Sequence, residues 1–273
     1  MNRGLLVGIN AYPGSPLEGC VNDVTDIAKF IVENCGFSKS DIRLLTDARA
    51  TRDAIFERLG WLLNGLREGD RVLFYYSGHG VLMPSRNPQG DVDRVHDAIC
   101  PVDFDWTKDH AITDTDFKGL FSSVPKGVEF VWISDSCHCG QLISSRGIMP
   151  PGTRIKSFPI PADIEWRIQV AREKNIQPMG FIKATGDINV ALITACKSEQ
   201  TAADASFDDG SHGVLTYYLL KKLKDPGGLK EPLIKVVADF VDALVVEARF
   251  EQVPQLVGSR VIKERAFLAI AWH

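Results

Sequence analysis

The chain alternates short, almost entirely apolar runs with segments of helical periodicity, and this alternation constrains its fold more than any other feature. The apolar runs are 5–9, 42–46, 71–76, 128–134 and 190–194. Runs this apolar are too hydrophobic for strands with one face in water, so they predict a sheet covered on both faces. Between them, apolar residues recur at helical spacing, as in 24–31 and 55–63. Strands and amphipathic helices in alternation predict an α/β fold with a mostly parallel sheet flanked by helices.

Composition narrows the function classes. The 273 residues are 45% hydrophobic, with 31 Lys plus Arg against 35 Asp plus Glu and a net charge of -4. Without a basic patch or a long apolar stretch, neither nucleic acid nor a membrane is expected as a partner. We find no signal-peptide pattern at the N-terminus and expect a cytoplasmic protein with six reduced cysteines.

The segment 146–185 interrupts the alternation of strands and helices. It contains five prolines, several basic residues and one weak helical stretch near 165–174, and it predicts a long surface loop or linker. After it we expect a strand at 190–194, helices at 213–223 and 233–246, and a last strand within 260–271.

Two apolar runs are followed by residues that could act in catalysis. Residues 72–76 run directly into His79, which stands between two glycines, and residues 131–134 run into Cys137. Because the carboxyl ends of parallel strands meet at one edge of a sheet, this edge would hold a thiol beside a histidine that can accept its proton. The backbone amides of Gly80 and Cys137 would then stabilise an oxyanion. Taken alone, His79 could also simply end a strand.

The motifs around these residues resemble those of metacaspases. Residues 76–80 (Tyr-Ser-Gly-His-Gly) match the family's histidine box, and residues 135–140 (Asp-Ser-Cys-His-Cys-Gly) closely resemble its Asp-Ser-Cys-His-Ser-Gly box. Three further parts of the chain resemble the family's large-subunit opening, the stretch after its histidine box and its small-subunit start: 8–10 with 17–24, 100–104, and 195–202.

The resemblance implies a single caspase-like (caspase-haemoglobinase) domain over 1–273. Residues 1–145 would form a large-subunit region, 146–185 a loop, and 186–273 a small-subunit region. It implies a cysteine endopeptidase of the small prokaryotic type, acting through a dyad of His79 and Cys137, on peptide or protein substrates with Arg or Lys at P1. The residues matching the family's acidic S1 pocket are Cys20, Asp23, Ser77 and Asp135. Two carboxylates there would pair with a P1 cation and repel an aspartate. The family's blocked dimerisation favours a monomer, and an activating partner protein stays open.

A calcium site of the kind found in many metacaspases looks incomplete. At the matching places the chain has His96 before Asp97, and Ser144. Asp91, Asp93 and Asp97 remain weak candidates for hard oxygen ligands, so we expect activity without a cofactor. Zinc at residues 137–139 (Cys-His-Cys) is disfavoured, since structural zinc sites separate paired ligands by two to four residues.

An Arg/Lys-directed peptidase could cut its own basic loop. The candidate positions in 146–185 are Arg146, Arg154, Lys156, Arg167, Arg172 and Lys174. The alternatives are a silent or latent caspase-fold scaffold, a protease with Asp at P1, and a thiol enzyme of another kind, which only Cys139 suggests.

Overall fold

The computed structural model describes residues 1–137, 152–178, 180–185, 188–197, 200–244, 250 and 252–268. The strands, in chain order, are β1 (Asn2–Gly8), β2 (Ile42–Thr46), β3 (Arg71–Ser77), β4 (Gly80–Arg86), β5 (Val92–Ile99), β6 (Ile112–Thr113), β7 (Glu129–Asp135), β8 (Arg154–Ile155), β9 (Ala191–Thr194), β10 (Ala203–Phe207), β11 (Gly210–Gly213) and β12 (Gln255–Val257). The helices are α1 (Cys20–Asn34), α2 (Arg52–Leu63), α3 (Asp114–Phe121), α4 (Ala162–Glu173), α5 (Gly180–Thr185), α6 (Val214–Lys224), α7 (Leu233–Asp242) and α8 (Arg260–Lys263).

A six-stranded sheet in the order β12-β9-β7-β3-β1-β2 forms the centre of the fold. The pairings among β2, β1, β3, β7 and β9 are parallel, and β12 runs antiparallel to β9. The five predicted apolar runs are these five parallel strands, with ends that differ by at most three residues. The α/β class with a mostly parallel sheet is therefore confirmed.

Each face of this sheet is buried against helices. Side chains such as Leu6 and Tyr75 face α1, α6 and α7, whereas their neighbours Leu5 and Phe74 face α2 and α3. Successive strand residues point to opposite faces, so strands covered on both sides must be apolar throughout. In the described ranges, no helix combines the length and apolarity that crossing a membrane requires.

Two small antiparallel sheets lie beyond the carboxyl edge of the central sheet. One has the order β4-β5-β6 and the other β11-β10-β8. The second contains two strands from the C-terminal half and β8 from the segment that we expected to be a loop.

Two expectations about the second half of the chain are wrong. In its described part, the predicted surface loop 146–185 contains β8 and α5 besides the expected helix, which is α4, and Lys156 within it is fully buried. The predicted last strand within 260–271 begins instead as α8, because the Ser259 hydroxyl accepts a hydrogen bond from the Ile262 amide and starts a helix. The last described strand is the earlier, three-residue β12.

Candidate active site

The parallel pairing of β3 with β7 brings the two predicted catalytic residues to one edge of the sheet. Ser77 at the end of β3 pairs with Asp135 at the end of β7. His79 and Cys137 each follow two residues after this pair, and both are fully buried. The carboxyl edge of a parallel sheet is where α/β proteins usually bind ligands.

A stretch of the same chain lies across this edge. We call residues 154–158 the cis segment. Its first two residues form β8, in which Ile155 pairs with Ala203 and Arg154 pairs with Asp204. The next residue, Lys156, donates its amide to the Ala202 carbonyl at 3.0 Å.

The Lys156 carbonyl contacts the two amides that we predicted for the oxyanion. Its oxygen accepts hydrogen bonds from Gly80 N–H at 3.1 Å and from Cys137 N–H at 3.2 Å. Backbone amides that converge on one oxygen can stabilise the negative charge that a carbonyl acquires when a nucleophile attacks it.

The Lys156 side chain enters a pocket formed by the four residues that match the family's S1 site. Its Nζ donates to Ser77 Oγ at 2.9 Å and to the Asp135 carbonyl at 3.2 Å. It forms ion pairs with Asp135 Oδ1 at 3.0 Å and Asp23 Oδ2 at 3.6 Å. Ser77 Oγ in turn donates to Asp23 at 2.8 Å, and Cys20 hydrogen bonds with Ser77. The structure thus brings Cys20, Asp23, Ser77 and Asp135 together around one ammonium group.

The pocket is held in shape by residues that the sequence did not single out. The Thr216 amide and hydroxyl donate to Asp135 Oδ2 at 3.0 and 2.6 Å. The Gly213 amide donates to both Asp23 oxygens at 3.0 Å. Asp204, also buried, accepts the amides of Glu18 and Gly19 at 2.7 and 3.0 Å. These residues belong to the C-terminal half, and only their contacts distinguish them from other polar residues.

Charges in the pocket compensate one another. Burial raises the pKa of Asp23 and outweighs the opposing effect of Lys156, and Asp135 raises it further. Burial lowers the pKa of Lys156, but the nearby acidic groups, above all Asp135, raise it above its usual value. Because both lysine and carboxylates are buried, each depends on the other to remain charged.

His79 is oriented by a backbone carbonyl. Its Nε2 lies 2.7 Å from the Ser15 carbonyl, which assigns the proton to Nε2 and leaves Nδ1 as the basic nitrogen. Nδ1 has no hydrogen-bond partner among the described residues. Burial lowers the pKa of His79 to about 4, against the carbonyls of Ser15 and Lys156, which raise it. The imidazole is therefore neutral at pH 7 and able to accept a proton. The sequence indicated no third residue that orients His79. The structure shows that this group is the Ser15 backbone carbonyl, which no sequence motif could have indicated.

The thiol of Cys137 is also inside the protein. Its Sγ donates to the Gln200 carbonyl at 3.5 Å. Of the neighbouring residues that figured in the sequence analysis, His138, Cys139, Ser144 and Arg146 lie outside the described residues.

The three weak candidates for metal binding do not converge. Asp91 forms an ion pair with Lys174 at 3.5 Å, and Asp93 accepts from the Ser85 hydroxyl at 3.3 Å. Asp97 is buried, accepts the Phe181 amide at 3.1 Å, and has a pKa that burial raises to about 7. Among the described residues, no group of three or more His, Cys, Asp or Glu side chains could hold a metal ion.

The covered, mostly parallel central sheet is that of the caspase-like class. A crystal structure of a protein from Geobacter sulfurreducens has the same fold, with a TM-score of 0.70, 23% identity and coverage of 98% of both chains. The family model described as metacaspase, peptidase C14 domain, matches residues 2–145.

Curated relatives point the same way. A protein named metacaspase-3 from Trypanosoma brucei brucei is 33% identical over 95% of this chain and 71% of its own length. Metacaspase-1 from Meyerozyma guilliermondii is 28% identical, over 94% of this chain and 69% of its own length. Metacaspase-7 from Arabidopsis thaliana is 38% identical over 52% of this chain and 35% of its own length. The chain belongs to the metacaspase family of cysteine-type peptidases.

Proposed function

We propose that this metacaspase is an endopeptidase that cleaves after Lys or Arg, and that the Lys156–Ser157 bond of its own chain is a substrate. One observation carries the proposal. The Lys156 carbonyl accepts the Gly80 and Cys137 amides while its ammonium is paired with Asp23 and Asp135. A P1 residue of a bound substrate needs both contacts at once.

The chemistry follows from these positions. Cys137 Sγ attacks the Lys156 carbonyl carbon, and the thiol proton moves to His79 Nδ1. The developing oxyanion is stabilised by the Gly80 and Cys137 amides, where each donor contributes about 2.7–4 kcal/mol. As the C–N bond breaks, His79 returns the proton to the Ser157 amine. Water then attacks the thioester with His79 as base, which frees the Lys156 carboxylate and regenerates the thiol.

Specificity for a basic P1 residue follows from the charge of the pocket. A lysine or arginine replaces Lys156 without a change of charge, whereas an aspartate would be a third acid beside Asp23 and Asp135. Like charges within a few ångströms of each other in a site without water repel by several kcal/mol. A repulsion of this size would prevent a substrate with Asp at P1 from binding.

The cis segment also keeps the enzyme latent in our proposal. Lys156 is 0% exposed, so a substrate from solution has no access to the pocket until this side chain leaves. We also propose that the activity does not need calcium. The supporting observation is that Asp97, the buried one of the three candidate ligands, already accepts the Phe181 amide at 3.1 Å.

The test is hydrolysis of fluorogenic peptides ending in Lys, Arg or Asp, with EDTA or with calcium. We expect purified protein to release fluorophore from the Lys and Arg peptides in both buffers, and Cys137→Ala to release none. Preference for the Asp peptide would contradict the pocket assignment. Loss of activity in EDTA would show that calcium is needed. A silent wild type that is still silent with Lys156→Gln would favour the scaffold alternative.

A further inference from the structure

The residue two positions after the proposed scissile bond occupies a site of its own. Phe158 is 9% exposed, although it lies in a segment with prolines on both sides of Ile160. Its ring centroid lies 4.5 Å from that of His79, 5.2 Å from that of Tyr12 and 5.5 Å from that of Phe104. Three aromatic rings therefore enclose a fourth.

The rings around Phe158 are held by contacts that do not involve Phe158 itself. The Tyr12 hydroxyl donates to the Cys100 carbonyl at 2.8 Å and lies 3.0 Å from the Tyr76 hydroxyl. It also accepts the His79 amide at 3.2 Å, which joins the wall to the catalytic histidine. Phe104 packs against Trp106 with centroids 5.2 Å apart. A site that needs little rearrangement loses little affinity to ordering.

The geometry points to a substrate subsite. We propose that Tyr12, His79 and Phe104 form an S2′ pocket that selects substrates with an aromatic or large apolar residue two positions after the cleaved bond. The inference rests on the proposed function, because it takes Lys156 as P1 and hence Phe158 as P2′. Its argument is separate: burial of an apolar side chain against three rings, rather than pairing of charge.

An aromatic P2′ residue would also exclude water from the imidazole of His79, the proposed catalytic base. Phe158 covers one face of the His79 imidazole, at a centroid distance of 4.5 Å. A small or charged residue there would leave the imidazole open to water and would bring no rings into contact. The pocket therefore links the choice of substrate to the environment of the base.

The experiment uses a chain in which the cis segment no longer competes. Lys156→Gln removes the P1 cation and Phe158→Ser removes the P2′ ring, so the double variant offers both subsites to added peptides. The probes are internally quenched octapeptides based on residues 153–160, Thr-Gln-Ile-Lys-Ser-X-Pro-Ile, with Gln in place of the native arginine so that one basic residue remains. X is Phe, Leu, Ser or Asp, and mass spectrometry verifies the cleaved bond.

We expect kcat/KM to be about tenfold higher for Phe than for Ser, which corresponds to about 1.4 kcal/mol. Leu should fall between them and Asp should be lowest. Adding Phe104→Ala should bring the Phe/Ser ratio close to one, whereas Phe56→Ala, on helix α2 away from the site, should leave the ratio unchanged. Equal rates for Phe and Ser, or a higher rate for Ser, overturn the inference. If Phe104→Ala does not fold, the peptide series on the intact walls still decides.

A fluorogenic Lys-amide, which has no P2′ residue, separates the two proposals. No turnover of the amide by the double variant means that the proposed peptidase activity fails. Turnover of the amide without any preference among the four octapeptides means that the peptidase stands and only the S2′ pocket is wrong.

Discussion

The two sides of the Lys156–Ser157 bond are held by different forces. On the N-terminal side, one ammonium is buried among two carboxylates, a hydroxyl and a carbonyl. On the C-terminal side, Phe158 is enclosed by aromatic rings, and α4 follows with Ile164 and Ile168 packed against the β4–β5 hairpin. The charged side accepts only a cationic side chain, since a buried ion without its partner is strongly unfavourable. The apolar side depends on area and shape, which many side chains can supply in part.

This difference has a consequence for the cleaved enzyme. The N-terminal product is held by two residue pairs of β8 with β10 and by the lysine itself. The C-terminal product continues into α4, whose apolar side chains form a cluster with Leu82, Val92 and Val95. We therefore expect the C-terminal side to stay docked longer after the bond is cut.

The largest expected effect comes from removing a charge on the N-terminal side. In a Lys156→Gln chain, Asp135→Asn should lower kcat/KM for a Lys-amide peptide by about 10³-fold, since breaking a buried ion pair costs about 3–5 kcal/mol. Asp208→Asn removes an exposed acid and is the matched control, with an expected change below about twofold. A similar small change in both variants would show that Asp135 does not bind the P1 cation.

A methyl group can fill the charged pocket without removing a charge from it. A Cβ at Gly213 would lie 2.2 Å from both Lys156 Nζ and Asp135 Oδ2. The backbone there has φ of -65°, so alanine adds bulk without backbone strain. In the Lys156→Gln background we expect Gly213→Ala to reduce turnover of the Lys-amide by about 100-fold, on the scale of 1–3 kcal/mol for overpacking.

The control for that variant is Gly60→Ala. A Cβ at Gly60, on helix α2, meets nothing within 4 Å. Its turnover should match that of the parent, and unchanged turnover in Gly213→Ala as well would mean that the P1 side chain does not reach this wall.

On the apolar side, Phe158→Ala should act mainly on stability. In a Cys137→Ala chain, which we expect to stay intact, the substitution should lower the free energy of unfolding by about 2 kcal/mol, less than the 3–5 kcal/mol typical of a fully enclosed phenylalanine. Urea unfolding followed by fluorescence measures it. Trp166→Ala, on an exposed position of α4, should change stability by less than about 0.5 kcal/mol. An equal loss of stability in Phe158→Ala and Trp166→Ala would show that burial of the Phe158 ring does not hold the C-terminal side of the bond.

The smallest expected effect concerns pH and joins the two sides at His79. Burial lowers the pKa of this imidazole to about 4, and below that pKa the charged ring cannot accept the Cys137 proton. Self-cleavage should therefore fall as pH decreases through about 4, well below the ordinary histidine value of about 6.5. Phe158→Ala admits water, raises the pKa and should move this acid limb upward, so that near pH 5 its rate falls about tenfold below its own rate at pH 7, whereas the wild-type rate changes little over that range.

Another group must be separated in that measurement. Burial raises the pKa of Asp97 to about 7, with Cys137 among its neighbours. An inflection near pH 7 that disappears in Asp97→Asn belongs to this carboxyl. An acid limb near 6.5 in the wild type would contradict the dry environment of His79.

The central sheet could be predicted because strands that are buried on both faces have continuous apolar runs in the sequence. The edge that holds His79 and Cys137 could be predicted for the same reason. Both residues follow directly after such runs, so their meeting needs only parallel pairing. The four pocket residues were found by resemblance to a family, since Asp23 on a helix and Asp135 at the end of a strand show no common local pattern.

The role of Lys156 could not be predicted. The segment 146–185 contains seven basic residues that look equivalent in sequence, and only contacts across more than 70 positions distinguish the one that reaches Ser77. β8 and β12 are two and three residues long, too short for any periodicity to indicate them. The Phe158 site likewise depends on rings from three separate parts of the chain.

The central claim is that Lys156 is the P1 residue of a bond that the enzyme cuts in itself. The most direct test is intact-mass analysis with N-terminal sequencing of wild type, Cys137→Ala and Lys156→Gln after incubation under identical conditions. We predict that wild type yields a fragment ending at Lys156 and one beginning at Ser157, and that neither variant yields them. An intact wild type, a cut at another residue of the segment, or the same cut in Cys137→Ala would contradict the claim.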